Sequence, residues 1–396
     1  MTKKNKSSNS TPIPTWQKGE KGELETPKEQ RIWPRISSYI IERQIEIPLK
    51  IISAVFLSYI VSPTSLNPFS KFLFISYPIQ LNNHSVPHGG DDDEEGIMSS
   101  VVYGKGYWDF AFITFWVIIF TLTREFMMKF VLKPFGIWAG IKGQRKVTRF
   151  MEQGYVVIYC TISCTVGLKI MRESPYWFYE TKYFWVDYPH YLLTPLVKSY
   201  YLIQFAFWLQ QILVLTLQLE KPRKDFLELV AHHIITCLLI GGSYLFNFTR
   251  IGNAVFVSMD FSDIWLAIAK SMKYMEFPGT VTDVMFVFFM ITWAYTRHYL
   301  YGWIMYSTFF ESCSPENNEC IWDPLRGYWL TWWSRYIILL GLTLLQFLMI
   351  YWFALILRIA WRVVSGKNAE DTRSDTENDS DVCISPENPT NTKKTD

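Results

Sequence analysis

Histidine is scarce in this sequence, and its scarcity argues against one large class of membrane metalloenzyme. The chain has 396 residues but only six histidines, whereas membrane di-iron desaturases and hydroxylases need more of them in clustered boxes. The sequence also has no glycine-rich phosphate loop and no basic patch interleaved with aromatic residues. We therefore expect no di-iron centre, no P-loop nucleotide site and no nucleic-acid partner.

Charge is missing from most of the interior of the chain. Lys and Arg number 38 and Asp and Glu 36, so the net charge of +2 is uninformative, but these residues concentrate at the two ends and in short loops. The apolar runs between them approach the roughly 20 residues that a bilayer-crossing helix needs. The sequence predicts an all-α integral membrane protein with about eight transmembrane helices, at 48–62, 109–131, 154–170, 199–219, 229–248, 253–272, 281–306 and 336–360.

The loops between these helices differ in charge. The loops at 133–149 and 220–226 are short and rich in Lys and Arg, whereas an opposite loop carries the acidic run DDDEE at 91–95. The positive-inside rule places the basic loops in the cytosol, and an even number of spans places both termini there. No signal-peptide core follows Met1, so we expect the transmembrane helices themselves to insert and anchor the chain.

Three short motifs agree with this topology. Cys313 and Cys320 lie in the polar loop ESCSPENNEC and can form a disulfide if that loop faces an oxidising lumen. The sequon that begins at Asn83 would be lumenal and is a predicted glycosylation site. The chain ends in KKTD, which is similar to the dilysine retrieval signal of endoplasmic-reticulum membrane proteins. We predict a multi-pass protein of that membrane.

Three regions follow from the distribution of polar and apolar residues. They are a polar cytosolic tail at 1–47, an N-terminal transmembrane region with an acidic lumenal loop at 48–142 and an acidic tail at 365–396. The last region is rich in Asp, Glu, Ser and Thr, a composition typical of disorder.

The main candidate site joins two consecutive apolar helices. His232 and His233 are adjacent in one, and Asp260 and Asp263 lie in the next. Each ionisable group inside a membrane costs about 2.5–3.5 kcal/mol, which makes it a functional candidate. Asp260, Asp263 and Lys270 share a helix face, whereas the adjacent histidines diverge, so only one of them faces the cavity. Imidazole and carboxylate together predict a catalytic site.

Two alternatives for these residues remain open from the pattern alone. A His–Asp pair can be a buried hydrogen bond that only joins two helices. His232, Asp260 and Asp263 could also hold a single metal ion, although a metal would compete for the nitrogen that a nucleophile needs.

Other polar residues in the apolar runs form a second group. Gln204, Gln211 and Gln218 are seven apart and therefore share a face, which favours either a polar cavity wall or hydrogen bonds between helices. We interpret Arg297 and His298 as anchors at the membrane interface.

The histidines and aspartates belong to a longer pattern that resembles the TLC-domain family, specifically the fungal ceramide synthases. The family pattern HHxxT, SYxxN, RxG and DxSD matches His232, His233, Thr236, Ser243, Tyr244, Asn247, Arg250, Gly252, Asp260, Ser262 and Asp263. The residue before the first aspartate is Met259, where many members have histidine. The resemblance covers about 143–364 and implies that this region is the TLC catalytic domain. The segment 132–153 leaves no room for the homeobox-like insert of many animal members.

The resemblance implies a function and its participants. The enzyme would transfer a fatty acyl group from acyl-CoA, acting as a co-substrate rather than a cofactor, to a sphingoid base, with no metal. Six helices would surround an internal cavity, and the basic loops would attract CoA phosphates. Relatives suggest very-long-chain acyl-CoA, a small single-span accessory subunit, and a homodimer or a dimer with a paralogue. The candidate substrate-binding residues are Ser243, Tyr244, Asn247, Arg250, Gln211 and Lys270.

The resemblance also implies a mechanism. His232 would form an acyl-imidazole that the sphingoid amine attacks, while Asp263, with or without Asp260, orients the imidazole and takes the proton of the amine. In the alternative chemistry, His232 acts as a general base for direct attack. The alternative function is a non-catalytic lipid-binding or lipid-sensing membrane protein.

Overall fold

The computed structural model describes residues 42–81, 100–217, 219, 225–314 and 320–365. Several sequence predictions lie outside these ranges. They concern the sequon at Asn83, the acidic run at 91–95, Gln218, most of the basic loop at 220–226, and most of the two terminal tails.

Helices account for nearly all of the regular structure in the described part of the chain. We number the longer ones in chain order as α1 Glu46–Val61, α2 Trp108–Trp138, α3 Gln144–Arg172, α4 Pro195–Thr216, α5 Phe226–Leu245, α6 Thr249–Tyr274, α7 Gly279–Phe310 and α8 Ser334–Val364. Short helical segments lie at Ser70–Leu73, Trp177–Tyr179, Thr181–Phe184 and Pro324–Arg326.

Six of the described helices are long and apolar enough to cross a membrane, namely α2, α3, α5, α6, α7 and α8. The prediction of an all-α multi-pass membrane protein is therefore confirmed, but the count of eight is not. Helix α1 has 16 residues, fewer than the roughly 20 that a span needs. Helix α4 is continuous over 22 residues, but its apolar sequence contains buried polar side chains, including Lys198 and Gln204.

Helix α6, which carries both candidate aspartates, lies at the centre of the helix bundle. In its most apolar stretch 61% of the residues are buried, against 17–39% in the other candidate spans. Its closest neighbour is α3, and a glycine allows their approach, since a Cβ on Gly167 would lie 2.7 Å from Cγ2 of Val257. The Nδ2 of Asn253 also donates to the Gly167 carbonyl, at 3.3 Å. The candidate span with the most buried apolar stretch therefore carries both candidate aspartates.

One end of the bundle, which we call the loop-rich end, carries most of the non-helical residues that the structure describes. This end comprises residues 75–81, 100–107, 173–194 and 320–333. Strands β1 Pro78–Leu81 and β2 Ser100–Tyr103 pair antiparallel, with Pro78 opposite Tyr103, which in turn bridges to Leu193.

A buried ion pair holds the strands to the helices at this end. The Nζ of Lys198 lies 2.7 Å from Oδ1 of Asp109 and donates to the carbonyls of Ser76 at 2.8 Å and Gly104 at 2.6 Å. The lysine of α4 thus satisfies backbone acceptors that a lone hairpin would leave unpaired.

Candidate active site

A single cavity of about 580 Å³ brings the candidate residues together. This volume is typical of a small-molecule or lipid site. The lining includes His232, Asp260, Asp263 and Arg297 at one end, and aromatic side chains at the loop-rich end. His232 and Gly242 both line it and are about 15 Å apart along α5, at 1.5 Å per residue. The cavity is therefore long, polar at one end and apolar over the rest.

The structure separates the two histidines as their adjacency requires. His232 lines the cavity, and its ring lies 5.4 Å from Trp208 and 5.2 Å from Trp352, measured between ring centroids. The Nδ1 of His232 is buried, and the described residues offer it no hydrogen-bond partner. His233 is buried away from the cavity, and its Nδ1 donates to the Leu229 carbonyl at 2.7 Å. Only His232 is placed to meet a substrate.

Asp260 sits in a network of uncharged donors. Its Oδ2 accepts from the Ser163 hydroxyl at 2.5 Å and from Nε2 of Gln204 at 3.1 Å. The same amide nitrogen donates to the Tyr200 hydroxyl at 3.1 Å, and the Tyr159 hydroxyl donates to the amide oxygen. Asp260 is 4% exposed, so three helices, α3, α4 and α6, fix its position.

Asp263 is paired with a cation instead. Its Oδ1 lies 2.6 Å from Nη2 of Arg297, and its side chain is 29% exposed while that of Arg297 is 4% exposed. The Nε of Arg297 donates to the Ser262 hydroxyl at 2.7 Å, and Nη2 donates to the Met259 carbonyl at 3.1 Å. The guanidinium carbon lies 4.1 Å from the ring centroid of Trp293, a cation–π contact.

The interpretation of Arg297 as an interface anchor is wrong, because the side chain is buried in the cavity wall. It lies in a π-helical turn, Tyr295–Leu300, within α7, and such turns are frequent at functional sites. In the same turn, the Nδ1 of His298 lies 2.8 Å from the Nε2 of Gln346. This contact joins α7 to α8. A sequence signal for Arg297 existed, since an arginine inside an apolar span is a functional candidate by default.

Of the predicted substrate-binding residues, Ser243 lines the cavity. Its hydroxyl contacts the Tyr201 hydroxyl and donates to the Ile240 carbonyl at 2.9 Å. The Tyr244 hydroxyl points elsewhere and donates to Oδ2 of Asp109 at 2.8 Å. Tyr244 therefore connects α5 to the start of α2.

Asn247 and Arg250 organise the loop-rich end. Asn247 has a positive φ of 68°, a conformation that asparagine tolerates better than most residues, and its Nδ2 donates to the Gly327 carbonyl at 2.9 Å. Arg250 donates to the carbonyls of Tyr183 at 2.6 Å and Val186 at 3.2 Å. Both residues hold loops in place and are not among the described residues that line the cavity.

Lys105, which precedes the region 143–364, also contacts Asn247. Its Nζ donates to the Tyr244 carbonyl at 2.5 Å and to Oδ1 of Asn247 at 2.6 Å. Burial lowers the pKa of Lys105 to about 7, and the charge of Lys198 acts in the same direction. Sequence reasoning missed Lys105, because a lysine in a short polar loop carries no signal of burial.

The remaining predicted residues lie in other parts of the fold. Gln211 donates to Oε1 of Gln210 at 3.0 Å, and neither Gln211 nor Lys270 belongs to the described cavity lining. Cys313 and Cys320 form a disulfide with their Cα atoms 5.4 Å apart. Within the described ranges, no three His, Cys, Asp or Glu side chains are grouped as metal ligands.

The chain is similar to known proteins over most of its length. The family model described as the TLC domain matches residues 149–358. The chain is 40% identical to the sphingosine N-acyltransferase lac1 of Schizosaccharomyces pombe over 84% of its own length and 81% of that protein. It is 39% identical to lag1 of the same yeast, covering 88% of the chain and 83% of the relative.

A budding-yeast protein gives the same result. The chain is 37% identical to the ceramide synthase LAG1 of Saccharomyces cerevisiae, and the match spans 84% of the chain and 76% of that protein. Because the family model matches more than half of the chain and these relatives are matched over most of their length, the chain belongs to the TLC-domain family.

Proposed function

We propose that this protein is a ceramide synthase, which transfers a fatty acyl group from acyl-CoA to the amine of a sphingoid base. One observation carries the proposal: His232, Asp260, Asp263 and Arg297 meet at the polar end of an otherwise apolar cavity. An apolar cavity with a few convergent polar groups suits a fatty acyl chain that must be held beside a reacting centre. Relatives named as sphingosine N-acyltransferases support this substrate class.

The proposed chemistry uses His232 as the nucleophile. Its neutral imidazole attacks the thioester carbonyl, CoA leaves as a thiolate and takes up the imidazole proton, and an acyl-imidazole remains. The sphingoid amine then attacks the acyl carbon, the bond to imidazole breaks, and the amide is released. In support, His232 is the only one of the two adjacent histidines on the cavity, and no described hydrogen bond occupies its Nδ1.

Asp263 is the group we propose to accept the proton of the amine. It is the more exposed of the two cavity aspartates, whereas Asp260 is enclosed by Ser163 and Gln204. If His232 instead acts as a general base for direct attack, no acyl-enzyme forms, and rapid quenching with acyl-CoA alone distinguishes the two mechanisms.

The cellular setting is also part of the proposal. The Lys- and Arg-rich segment at 133–149 supports a multi-pass protein with both termini in the cytosol, and we propose the endoplasmic-reticulum membrane as its location. A very-long-chain acyl-CoA is proposed as the acyl donor from the family resemblance alone. A single-span accessory subunit and a homodimer or a dimer with a paralogue are proposed from the family resemblance alone.

The test is an acyl-transfer assay on purified protein with sphinganine and acyl-CoAs of graded length. The variants are His232→Ala and, as a matched control, His298→Ala, because His298 is a half-buried histidine outside the cavity lining. We expect ceramide from the wild type and the control but not from His232→Ala. Equal turnover by all three proteins would remove His232 from the chemistry. If even the wild type, supplied with an accessory subunit, makes no ceramide, a non-catalytic lipid-binding role is favoured.

A further inference from the structure

The two aspartates on the cavity have different partners. Asp260 is held by neutral groups, the Ser163 hydroxyl and the Gln204 amide, at 2.5 and 3.1 Å. Asp263 is held by the guanidinium of Arg297 at 2.6 Å. Burying a lone carboxylate is costly, and an opposite charge with good hydrogen bonds offsets that cost. The ion pair therefore lets Asp263 stay anionic while part of it remains exposed to the cavity.

Arg297 is itself immobilised by three further contacts. It donates to the Ser262 hydroxyl at 2.7 Å and to the Met259 carbonyl at 3.1 Å, and it stacks over Trp293 at 4.1 Å. Both hydrogen-bond acceptors lie on α6, the helix that carries Asp263. The guanidinium is thus fixed against the backbone of the helix whose carboxylate it orients, and the planar fork of arginine suits this role better than the single donor group of lysine.

We propose that Arg297 is a positioning residue that acts through Asp263. It holds the carboxylate charged and aimed at the cavity, so that Asp263 can take a proton from the attacking sphingoid amine. The nitrogen–carbon bond of the amide forms, the bond from the acyl carbon to His232 breaks, and the imidazole nitrogen keeps the electron pair. The proton passes from the amine to Asp263 and then to that nitrogen, which restores the starting enzyme.

This inference rests on the proposed acyl transfer, and it makes a specific prediction about which half of the reaction depends on Arg297. Attack of His232 on the thioester precedes the proton transfer from the amine. Loss of Arg297 should therefore slow release of ceramide while leaving the first release of CoA intact. A residue that only held α6 to α7 would affect both halves together.

The experiment compares Arg297→Gln, Arg297→Lys, Asp263→Asn and the double variant Arg297→Gln/Asp263→Asn with the wild type. Arg335→Gln is the matched control, because Arg335 also stacks on an aromatic ring, Phe309, and donates to its carbonyl, but lies outside the cavity lining. For each protein we measure the single-turnover release of CoA from acyl-CoA alone, steady-state ceramide formation and the thermal midpoint.

We expect Arg297→Gln to lower ceramide formation by about 10²-fold, the lower range for loss of general-base catalysis, with the single-turnover release of CoA unchanged. Arg297→Lys should restore at least a tenth of the wild-type rate, since it keeps the charge. The double variant should be no slower than Asp263→Asn, because residues that act as one unit are not additive.

Four results would overturn the inference. They are a wild-type rate of ceramide formation in Arg297→Gln, slowed single-turnover release of CoA in Arg297→Gln, equal slowing by Arg297→Lys and Arg297→Gln, and a double variant slower than Asp263→Asn by the full factor of Arg297→Gln. Failure of the proposed function has a different signature, since the wild type and Arg335→Gln would then also make no ceramide, and the inference would fall with it.

Discussion

The two ends of the cavity are constructed in opposite ways. At the polar end, charged atoms themselves line the wall, and their partners are other side chains of the site, as in the pair of Asp263 and Arg297 at 2.6 Å. At the loop-rich end the lining is aromatic, with Phe246 and Trp329 rings 5.2 Å apart. The hydrogen bonds that hold this end lie behind the lining, such as the one from Asn247 to the Gly327 carbonyl.

This difference separates two requirements of acyl transfer to a lipid. The reaction needs particular atoms at particular distances. The polar end therefore contains the charges of Asp263 and Arg297, and their ion pair offsets the cost of removing them from water. Holding a hydrocarbon chain needs only apolar volume of the right shape. At the loop-rich end, polar side chains such as Asn247 and Arg250 therefore form hydrogen bonds that anchor loops. Substitutions at the polar end should change the rate, and those at the other end should change substrate choice or stability.

The largest effect on the rate is expected when each of the two histidines is replaced by alanine in a separate variant. His232→Ala should lower ceramide formation by at least about 10³-fold, because it removes the proposed nucleophile. His233→Ala should retain measurable turnover, since that ring faces away from the cavity and donates to the Leu229 carbonyl. The check is the turnover rate of each variant at matched yield and thermal midpoint. Equal losses in both would contradict the division of roles between the histidines.

Substitution of Asp263 should lower mainly the reaction rate, and substitution of Asp260 should lower mainly the stability of the fold. Asp263→Asn should cost about 10²–10⁴-fold in rate, the range for general acid–base groups. Asp260→Asn should mainly destabilise the fold, by about 1–3 kcal/mol, because it disturbs a buried hydrogen-bonded group. Turnover and thermal unfolding of both variants test this. A larger loss of rate in Asp260→Asn would reverse the assignment.

A smaller effect, on specificity, is expected at the apolar end. Trp329→Ala removes an aromatic side chain from the lining and should shift product ratios toward longer acyl chains by about tenfold, the lower value for a methylene in an apolar pocket. Competition between acyl-CoAs of graded length measures the shift. Trp361→Ala is the control, because Trp361 is 74% exposed on α8 and does not line the cavity. An unchanged product ratio in Trp329→Ala would place the acyl chain elsewhere.

The smallest effect is a pH dependence of stability at the loop-rich end. The pKa of Lys105 is lowered by burial from 10.5 to about 7. Between these values the unfolded chain binds the proton and the folded protein does not, so stability rises with pH from 7 towards 10.5. Lys105→Met should lose this rise.

The measurement is the thermal midpoint at pH 7 and pH 9. Lys50→Met is the control, because Lys50 is a 72% exposed lysine of α1. Identical pH dependence in the wild type and Lys105→Met would show that Lys105 does not contribute to it.

Some features of the site followed from sequence pattern because they are local. Apolar runs found six of the membrane-length helices, and the adjacency of His232 and His233 already required that only one face the cavity. The motif containing Ser243, Tyr244, Asn247 and Arg250 was interpreted as one substrate-binding group. In the fold only Ser243 lines the cavity, because the other three meet the ends of other segments that sequence spacing cannot locate.

The sequence by itself determined the membrane class through its apolar runs, and its motifs supplied the family resemblance and the candidate residue types, because hydrophobic length and chemical identity belong to each segment alone. Only the tertiary structure decided that His232 faces the cavity, that Arg297 pairs with Asp263, and that Lys105 reaches Asn247. These choices depend on how each helix is rotated and on a π-helical turn in α7. Rotation is set by packing against distant segments, and no local pattern contains it.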